Sequence, residues 1–350
     1  METVKNLPKS RMAQIKAGTP LPPPLLGDKS ALSQKARSEI VALVGHNPKQ
    51  FLTQALLAWG VISAAVAITL RAHMALPVYL PAIFIIATRQ NLLGLLVHEQ
   101  AHYLGFRSKG GELAANLLTA YPLLITTEDY AKVHLSHHTF YFTEKDPDYL
   151  RKQGKEWTFP LKRRELVKLF LADLTGINTW KTLQGKKMKE NYIGKRKTAT
   201  PKWVRGLFYG LMAGVFTLAK TWKLFFFFWL IPLTTLFQIF IRWGGLCEHK
   251  YNLVNPKIHE STPLIKLSWW EQLLFPNLNF TLHIYHHYFP GISFSKLPKV
   301  HRIFQRERLV NELNVFRGYG MFLNYLFRRE KPTNDGVSSS SFSSAFIKQN

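Results

Sequence analysis

Long apolar runs alternate with polar, basic stretches along the chain, and they predict two helical hairpins in a membrane. Residues 51–70 are apolar and carry no charged residue. Twenty residues at a helical rise of about 1.5 Å cover the roughly 30 Å of a bilayer core. Residues 74–97 predict a second span, and residues 203–219 and 224–241 predict a second pair. The pattern therefore predicts four transmembrane helices whose polar flanks meet on one side of the membrane.

A shorter apolar run, at residues 113–126, is too short to cross a bilayer as a helix. We interpret it as a re-entrant or interfacial helix, which leaves His98 and His134 on the same side of the membrane. The alternative is a short full crossing, which would place these two histidines on opposite sides and separate any site that they share.

Polar segments make up most of the rest of the chain. Residues 1–50 are basic and contain a proline-rich stretch, and they predict a cytoplasmic N-terminal arm with a short helix near residues 29–44. Residues 51–332 form the membrane domain. Within it, basic and large apolar residues interleave over residues 139–203 and predict amphipathic helices at the membrane surface. Residues 333–350 are rich in serine and predict a disordered tail.

The net charge of +25 over 350 residues fits either a nucleic-acid-binding protein or a membrane protein with its basic residues on the cytoplasmic side. The apolar runs favour the membrane, and no zinc-finger, RNA-recognition or basic-zipper pattern is present, so we expect no nucleic-acid partner. Cys247 is the only cysteine. It excludes an intramolecular disulfide and a cysteine-based metal site, so a metal would be bound by histidines and carboxylates.

Histidines are concentrated in three short boxes. Eight of the 13 histidines fall in these boxes, which comprise His98 and His102, then His134, His137 and His138, and finally His283, His286 and His287. Spacings of three and four residues place the rings of each box on one face of a helix. Neutral imidazole is a good ligand for iron, zinc and copper. Three boxes near the ends of apolar runs predict a site that holds more than one metal ion.

Eight imidazoles are more than a single tetrahedral zinc can use, and they suit two ions with five or six ligands each. Neutral imidazoles leave such ions strongly cationic, so we expect nearby carboxylates to balance charge and to orient the rings. The candidates are Glu99, Asp146, Asp148 and Glu248.

Two other classes of protein fit parts of the pattern. The sequence from His98 to His102 also matches the His-Glu-x-x-His signature of zinc proteases, in which Glu99 would be a general base. That interpretation leaves the other two boxes unexplained, and we expect Glu99 to orient a ligand instead. A non-catalytic membrane receptor with a structural metal is the third class, and it would require fully closed coordination.

The boxes and their surroundings resemble the membrane fatty acid desaturase/hydroxylase superfamily. The resemblance covers the spacing of the three boxes, Asp146-Pro147-Asp148 after the second box and Tyr288-Phe289-Pro290-Gly291 after the third. Glu248-His249 lies where members often carry a further iron ligand. The resemblance therefore adds His249 to the predicted metal ligands.

The resemblance implies an all-α integral membrane protein, with four transmembrane helices beneath a cytoplasmic helical cap that carries a histidine-rich di-metal site. It implies two iron ions, O₂ as co-substrate, and a separate electron donor of the ferredoxin, rubredoxin or cytochrome b5 type. The expected reaction is desaturation of an acyl-lipid, acyl-CoA or acyl-ACP chain. The alternative is hydroxylation of an alkane, an acyl chain or a carotenoid. The first box begins His-Glu where acyl-lipid desaturases commonly have His-Asp, which leaves the substrate open.

Residues outside the boxes receive simpler interpretations. We expect His301 to lie on the surface, with a position behind the metal ligands as the alternative, and we expect no special role for His46, His73 and His259. Asn279 is interpreted either as the holder of a metal-bound water or as an amide facing its own helix. Phe225–Trp229 and the pair Trp269-Trp270 are predicted mainly to contact lipid at an interfacial belt, with the lining of a substrate tunnel as the alternative.

Overall fold

The computed structural model describes residues 23–158, 160–184 and 196–327. The predicted disordered tail at 333–350 lies outside the described residues, as do residues 1–22 of the predicted N-terminal arm. The described chain is mostly helical. Within the described ranges the strands are β1 (Ile265–Lys266) and β2 (Phe316–Arg317), which pair in parallel with Ile265 opposite Phe316.

The helices divide into a long apolar set and a set of short elements at one end of it. The first set consists of α2 (Pro48–Arg71), α3 (Leu76–Ala101), α9 (Lys202–Leu218), α10 (Trp222–Phe225), α11 (Ile231–Thr234) and α12 (Leu236–Glu248). The short helices are α1 (Gln34–Val41), α4 (Lys109–Ala115), α5 (Thr127–Thr139), α6 (Pro147–Arg151), α7 (Arg163–Leu174), α8 (Ile177–Gln184), α13 (Ile258–Ser261), α14 (Trp269–Leu274), α15 (His283–Tyr288), α16 (Leu297–Arg306) and α17 (Tyr319–Phe327). Two π-helical turns (Asn116–Ala120 and Phe226–Leu230) and several short 3₁₀ turns (Lys29–Ala31, Lys155–Trp157, Phe280–Leu282, Phe294–Lys296 and Glu312–Asn314) complete the described helical structure.

Three helical stretches in the described residues are long and apolar enough to cross a membrane. They are Pro48–Arg71, Leu76–Ala101 and Trp222–Glu248, the last of which joins α10 to α12 through a π-helical turn. They correspond to the predicted spans at 51–70, 74–97 and 224–241.

The fourth predicted span, at 203–219, is the helix α9 of 17 residues. At about 1.5 Å per residue it is roughly 26 Å long, which is short of a bilayer core. None of its side chains is buried. Four crossings therefore remain a prediction.

Small residues let α2 and α3 approach closely. Ala55, Ala58 and Ala65 lie on the buried face of α2 at helical spacing, and small side chains are typical of helix interfaces in membranes because they allow close backbone contact. Asn47 caps the start of α2 by accepting from the amide of Gln50. The opposite face of α2 is apolar and exposed, as expected for contact with lipid.

Two stacked tryptophans attach the segment at 113–126 to the long helices. The rings of Trp59 on α2 and Trp229 lie 5.1 Å apart and nearly parallel. Their Nε1–H groups donate to the carbonyls of Leu118 and Pro122, both at 2.8 Å. The segment consists of the end of α4, a π-helical turn and a turn. Its re-entrant or interfacial position in a bilayer remains a prediction.

Residues 25–47 of the predicted N-terminal arm are built into the short helical set. Ala36 and Ile40 on α1 pack into one apolar cluster with residues of α15 and α16. Gly45, at φ 140°, donates its amide to the carbonyl of Gly291, and Asn47 donates to that of Leu104. This loop links the chain after the first box to the chain after the third.

An amphipathic helix, α7, is joined to α12 by an ion pair. Arg242 donates to both carboxylate oxygens of Asp173, and the two side chains are 12% and 2% exposed. The outer face of α7 exposes Val167, Leu171 and Leu174. Such a face is suited to the membrane surface.

Replacement of Asp173 by alanine should lower the melting temperature in detergent, because it leaves the Arg242 guanidinium buried without its partner. Breaking a buried pair in this way costs about 3–5 kcal/mol. Glu165→Ala on the same helix is the matched control, since its partners Arg164 and Lys168 are largely exposed and such pairs contribute about 0–1 kcal/mol. Equal shifts in the two variants would contradict this assignment.

Candidate metal centre

The three histidine boxes lie on three different helices whose ends meet. His98 lies in the last turn of α3, and His102 is the residue that follows this helix. The second box occupies the last two turns of α5, and the third box lies within α15. The spacing of each box places its rings on one helical face, and the three faces point towards a common centre.

The first group of rings contains members of all three boxes. The ligand nitrogens of His98, His102, His134 and His286 lie within 4.8 Å of one another. The Nε2 atoms of His134 and His102 are 2.8 Å apart. The Nε2 atom of His138 lies 3.1 Å from that of His134 and 3.0 Å from that of His286. His138 therefore adjoins this group of four rings.

The second group adjoins the first. The ligand nitrogens of His137, His249 and His287 lie within 4.8 Å of one another. The Nε2 atom of His283 lies 3.2 Å from that of His249 and 3.1 Å from that of His287. The rings of His138 and His287 stack at 4.3 Å across the boundary between the groups. The fold thus brings together all nine histidines that the sequence singles out.

The spacing of the nitrogens tests whether these residues fit metal ions. The Nε2 atoms of neighbouring rings are 2.8–3.2 Å apart. Two nitrogens bound at right angles to one ion, with bonds of about 2.1 Å, lie about 3.0 Å apart, whereas tetrahedral bonds of that length separate them by about 3.4 Å. The observed spacing is in the range of nitrogens that share one ion.

His98 provides a second test. Its ring is buried, and neither of its nitrogens has a hydrogen-bond partner among the described residues. A buried polar group without a partner is costly. A metal ion bound among the other rings of the first group would give one nitrogen of His98 a partner, so the residues present fit a metal.

Burial keeps the surrounding imidazoles neutral. It lowers the pKa of His102 to about 3, and the positive charge of Arg196 adds to this effect. Burial is also the largest cause that holds the pKa values of six other histidines well below the usual range, namely His134, His138, His249, His283, His286 and His287. A neutral imidazole has a free lone pair, so these rings are in the form that binds a metal.

Asp146 orients a ring of the second group. Its Oδ2 atom accepts from Nδ1 of His137 at 2.8 Å and from the amide of Phe142 at 3.0 Å. Because a carboxylate only accepts, the proton of His137 lies on Nδ1, and Nε2 is free towards the centre. The Oδ1 atom of Asp146 accepts from the amides of Asp148 and Tyr149. The predicted orienting carboxylate is therefore fixed by hydrogen bonds on both oxygens.

No hydrogen bond joins the other predicted carboxylates to a boxed histidine within the described residues. Glu99 accepts from the amide of Phe294 at 3.0 Å, and so joins the end of α3 to the loop after the third box. Asn279, in a left-handed conformation, donates to the carbonyl of the same Phe294. Asp148 binds Lys152 and Arg151; burial raises its pKa, but the two cations together hold that pKa well below its usual range. Glu248 is half-buried at the end of α12.

His249 is positioned by residues that the sequence analysis missed. Its Nδ1 atom lies 3.1 Å from the hydroxyl of Thr262 and 3.3 Å from that of Tyr141. The hydroxyl of Tyr141 also lies 2.6 Å from that of Ser261. No spacing pattern connects these residues, because they come from segments far apart in the chain.

His301 corrects one prediction. It was expected on the surface, but it is only 6% exposed, and its Nδ1 atom lies 2.8 Å from the hydroxyl of Tyr285 in the third box. The signal was present in the sequence, since Leu297, Val300, His301 and Phe304 follow the spacing of one buried helical face. The spacing of the apolar residues along α16 predicts the burial of His301 better than the polarity of this one residue does.

The fold and the site define a helical protein with three candidate membrane spans and a largely buried cluster of histidines that could hold metal ions, and comparison with known families makes the assignment specific. The sequence model of the fatty acid desaturase family matches residues 74–317. This match covers more than half of the chain, which therefore belongs to the fatty acid desaturase family. It confirms the resemblance to the membrane fatty acid desaturase/hydroxylase superfamily. No curated protein matches the chain.

Asp146→Asn should weaken metal binding by the second group. The amide would place a donor opposite two donors, Nδ1–H of His137 and the amide of Phe142, while its oxygen keeps the bonds to Asp148 and Tyr149. Loss of a ring-orienting partner typically raises the metal dissociation constant about 10- to 100-fold. Competition with a chelator measures this effect. Asp148→Asn is the control, and an equal loss of affinity in both variants would argue against a specific role of Asp146.

Acid should destabilise the metal-free protein. His102 has an ordinary pKa of 6.5 and a folded-state pKa of about 3, so below about pH 6.5 the unfolded chain binds protons that the folded chain does not. Stability is then lost as the pH falls, by about 1.4 kcal/mol per pH unit for each such group. Melting temperatures of chelator-treated protein between about pH 7.5 and pH 5 test this. A constant or rising melting temperature on acidification is incompatible with buried neutral imidazoles.

Proposed function

We propose that this protein is an O₂-dependent di-iron fatty acid desaturase of a membrane, which introduces a double bond into an acyl chain. One observation carries the proposal. Nine imidazoles converge as two adjoining groups in a buried pocket at the ends of α3, α5, α12 and α15. Membership of the fatty acid desaturase family supports the same chemistry.

Iron fits this ligand set better than zinc does. The five rings of the first group and the four of the second exceed what tetrahedral zinc ions use, and they leave positions open for a reactant. In this proposal the ligands are His98, His102, His134, His138 and His286 in the first group, and His137, His249, His283 and His287 in the second. Two irons held there supply the redox chemistry that couples the reduction of O₂ to the oxidation of a C–H bond.

The reaction balances with an external source of electrons. Two hydrogens leave neighbouring carbons of the acyl chain, and O₂ with two electrons and two protons becomes two waters. The protein's residues hold the rings in place and exclude water. Phe280 packs edge-on against His98 at 4.4 Å, and Tyr141 lies 5.0 Å from His287. This apolar surround suits a featureless hydrocarbon chain and keeps the site dry.

The partners follow from this chemistry. We infer a separate electron donor of the ferredoxin, rubredoxin or cytochrome b5 type, because the chain itself has one cysteine and no haem-binding signature. The excess of basic residues favours a site on the cytoplasmic face of a multi-pass membrane protein. The acyl substrate reaches such a site from the bilayer.

The position of Glu99 weighs against the metalloprotease alternative. A general base in a zinc protease must face the metal-bound water. Here Glu99 is buried and accepts from the amide of Phe294. A single zinc would also leave most of the nine histidines without a role.

His137→Ala and His286→Ala should each abolish product formation and leave membrane insertion intact, because each removes one inward-facing ring from a different group. The measurement is mass spectrometry of lipids after expression in a host that lacks the activity. Loss of two hydrogens from an acyl chain supports desaturation. Gain of one oxygen atom would show that the reaction is hydroxylation instead. His46→Ala is the control, since His46 is exposed. Full activity in either box variant would exclude that ring from the site.

A further inference from the structure

Residues 196–200, which we call the strap, contact both helices that bear the first two histidine boxes. The strap lies before α9, far in sequence from both boxes. Its alternate residues Arg196, Thr198 and Thr200 each bond to a buried group beside the boxes, namely the carbonyl of Ala101, the carboxylate of Glu112 and the side chain of Asn116. None of these residues belongs to a box, and none forms a hydrogen bond with a boxed imidazole in the part of the chain that the structure describes.

Arg196 holds the end of α3. Its Nη1 donates to the carbonyl of Ala101 at 2.9 Å, and its Nη2 donates to that of Gln100. The carbonyl of Ala101 lies in the last turn of the helix, where partners within the helix run out, and that of Gln100 also accepts from the amide of Tyr103 at 2.9 Å. Cationic groups are favoured at this end of a helix. The guanidinium therefore fixes the backbone between His98 and His102.

Glu112 completes the contact and balances the charge. Both of its oxygens accept from Arg196, and one also accepts from the side chain of Gln100 at 2.7 Å. The side chains of Arg196 and Glu112 are 7% and 0% exposed. The ring of Tyr103 lies 3.9 Å from the guanidinium carbon. These contacts together hold the guanidinium of Arg196 in one position.

The other end of the strap holds the start of α5. The amide of Thr200 donates to Glu128 at 2.7 Å, and the Thr200 hydroxyl accepts from the side chain of Asn116 at 3.0 Å. Asn116 in turn accepts from the amide of Thr127, the first residue of α5. One short segment therefore connects the end of the helix that carries His98 to the start of the helix that carries His134.

We propose that the strap is the positioning element that sets the first box against the second, with Arg196 as its principal residue. The Nε2 atoms of His102 and His134 are 2.8 Å apart, so a small shift of α3 relative to α5 would open the first group. The second group draws its rings from α5, α12 and α15, none of which Arg196 contacts. Loss of the contact that Arg196 makes with α3 should therefore empty the first group and spare the second, because the contacts of Thr200 with α5, which carries His137, stay in place. This inference rests on the proposed pair of metals.

The test replaces both charged residues of the contact, in the variant R196M/E112Q, so that no buried charge is left unpaired. The matched control is R242M/D173N, which removes the other buried arginine–carboxylate pair described above, between α7 and α12. Iron per folded chain is measured by elemental analysis on material that elutes as a single species in detergent. Substitution with Co²⁺ adds a spectroscopic readout, since its absorption bands report ligand number.

The expected result is about two irons per chain in the wild type and the control, and about one in R196M/E112Q. Arg196→Lys should give an intermediate value, because an ammonium keeps the charge but cannot bond both carbonyls and the carboxylate in one plane. Arg196→Lys also tests the inference if R196M/E112Q does not fold. Two irons in R196M/E112Q and in Arg196→Lys, or an equal loss in the control, would overturn the inference. A wild type that binds one zinc would refute the proposed function, while a strap variant that still lost metal would support the strap. A wild type that binds no metal would overturn both.

Discussion

The structure depends on nine imidazoles around two neighbouring points, of which seven are buried and two, His102 and His138, are partly exposed. Burial removes the rings from water and disfavours their protonated forms. Neutral rings whose Nε2 atoms face one another at about 3 Å can share few hydrogen bonds, and His98 has none among the described residues. A cation bound at each point would give the lone pair of every neutral ring a partner. The fold and the metals are therefore expected to stabilise each other.

The two groups are positioned in different ways. In the second group, hydrogen bonds act on the rings themselves, from Asp146 to His137 and from Thr262 to His249. In the first group, the contacts act on the backbone, where Arg196 holds the carbonyls at the end of α3. A hydrogen bond to a ring nitrogen fixes the tautomer and the tilt of that ring, whereas a hydrogen bond to a backbone carbonyl fixes where the helix ends. In the proposed centre, the ligands of the two metals would therefore be positioned by different residues.

Local spacing explains which parts of the site could be predicted. Residues three and four apart share a helical face, so the boxes indicated their own geometry, and Asp146 follows the second box closely enough to be proposed with it. Thr262, Tyr141 and Arg196 could not be found in this way, because their partners lie on segments distant in sequence. The membrane spans were predictable from apolar length where the run was long. The 17 residues of α9 lie at the limit of that criterion.

Water must be excluded from a site that lies at the polar ends of apolar helices, and the chain closes this side with segments from both of its ends. Ala36 and Ile40 of α1 pack with α15 and α16, behind the third box. The loop around Gly45 bonds to Gly291 and joins that box to the end of the first. These N-terminal residues lie outside the range of 74–317 that matches the family. All nine histidines lie within the matched range, whereas α1 and the loop around Gly45, which pack behind the third box, lie before it.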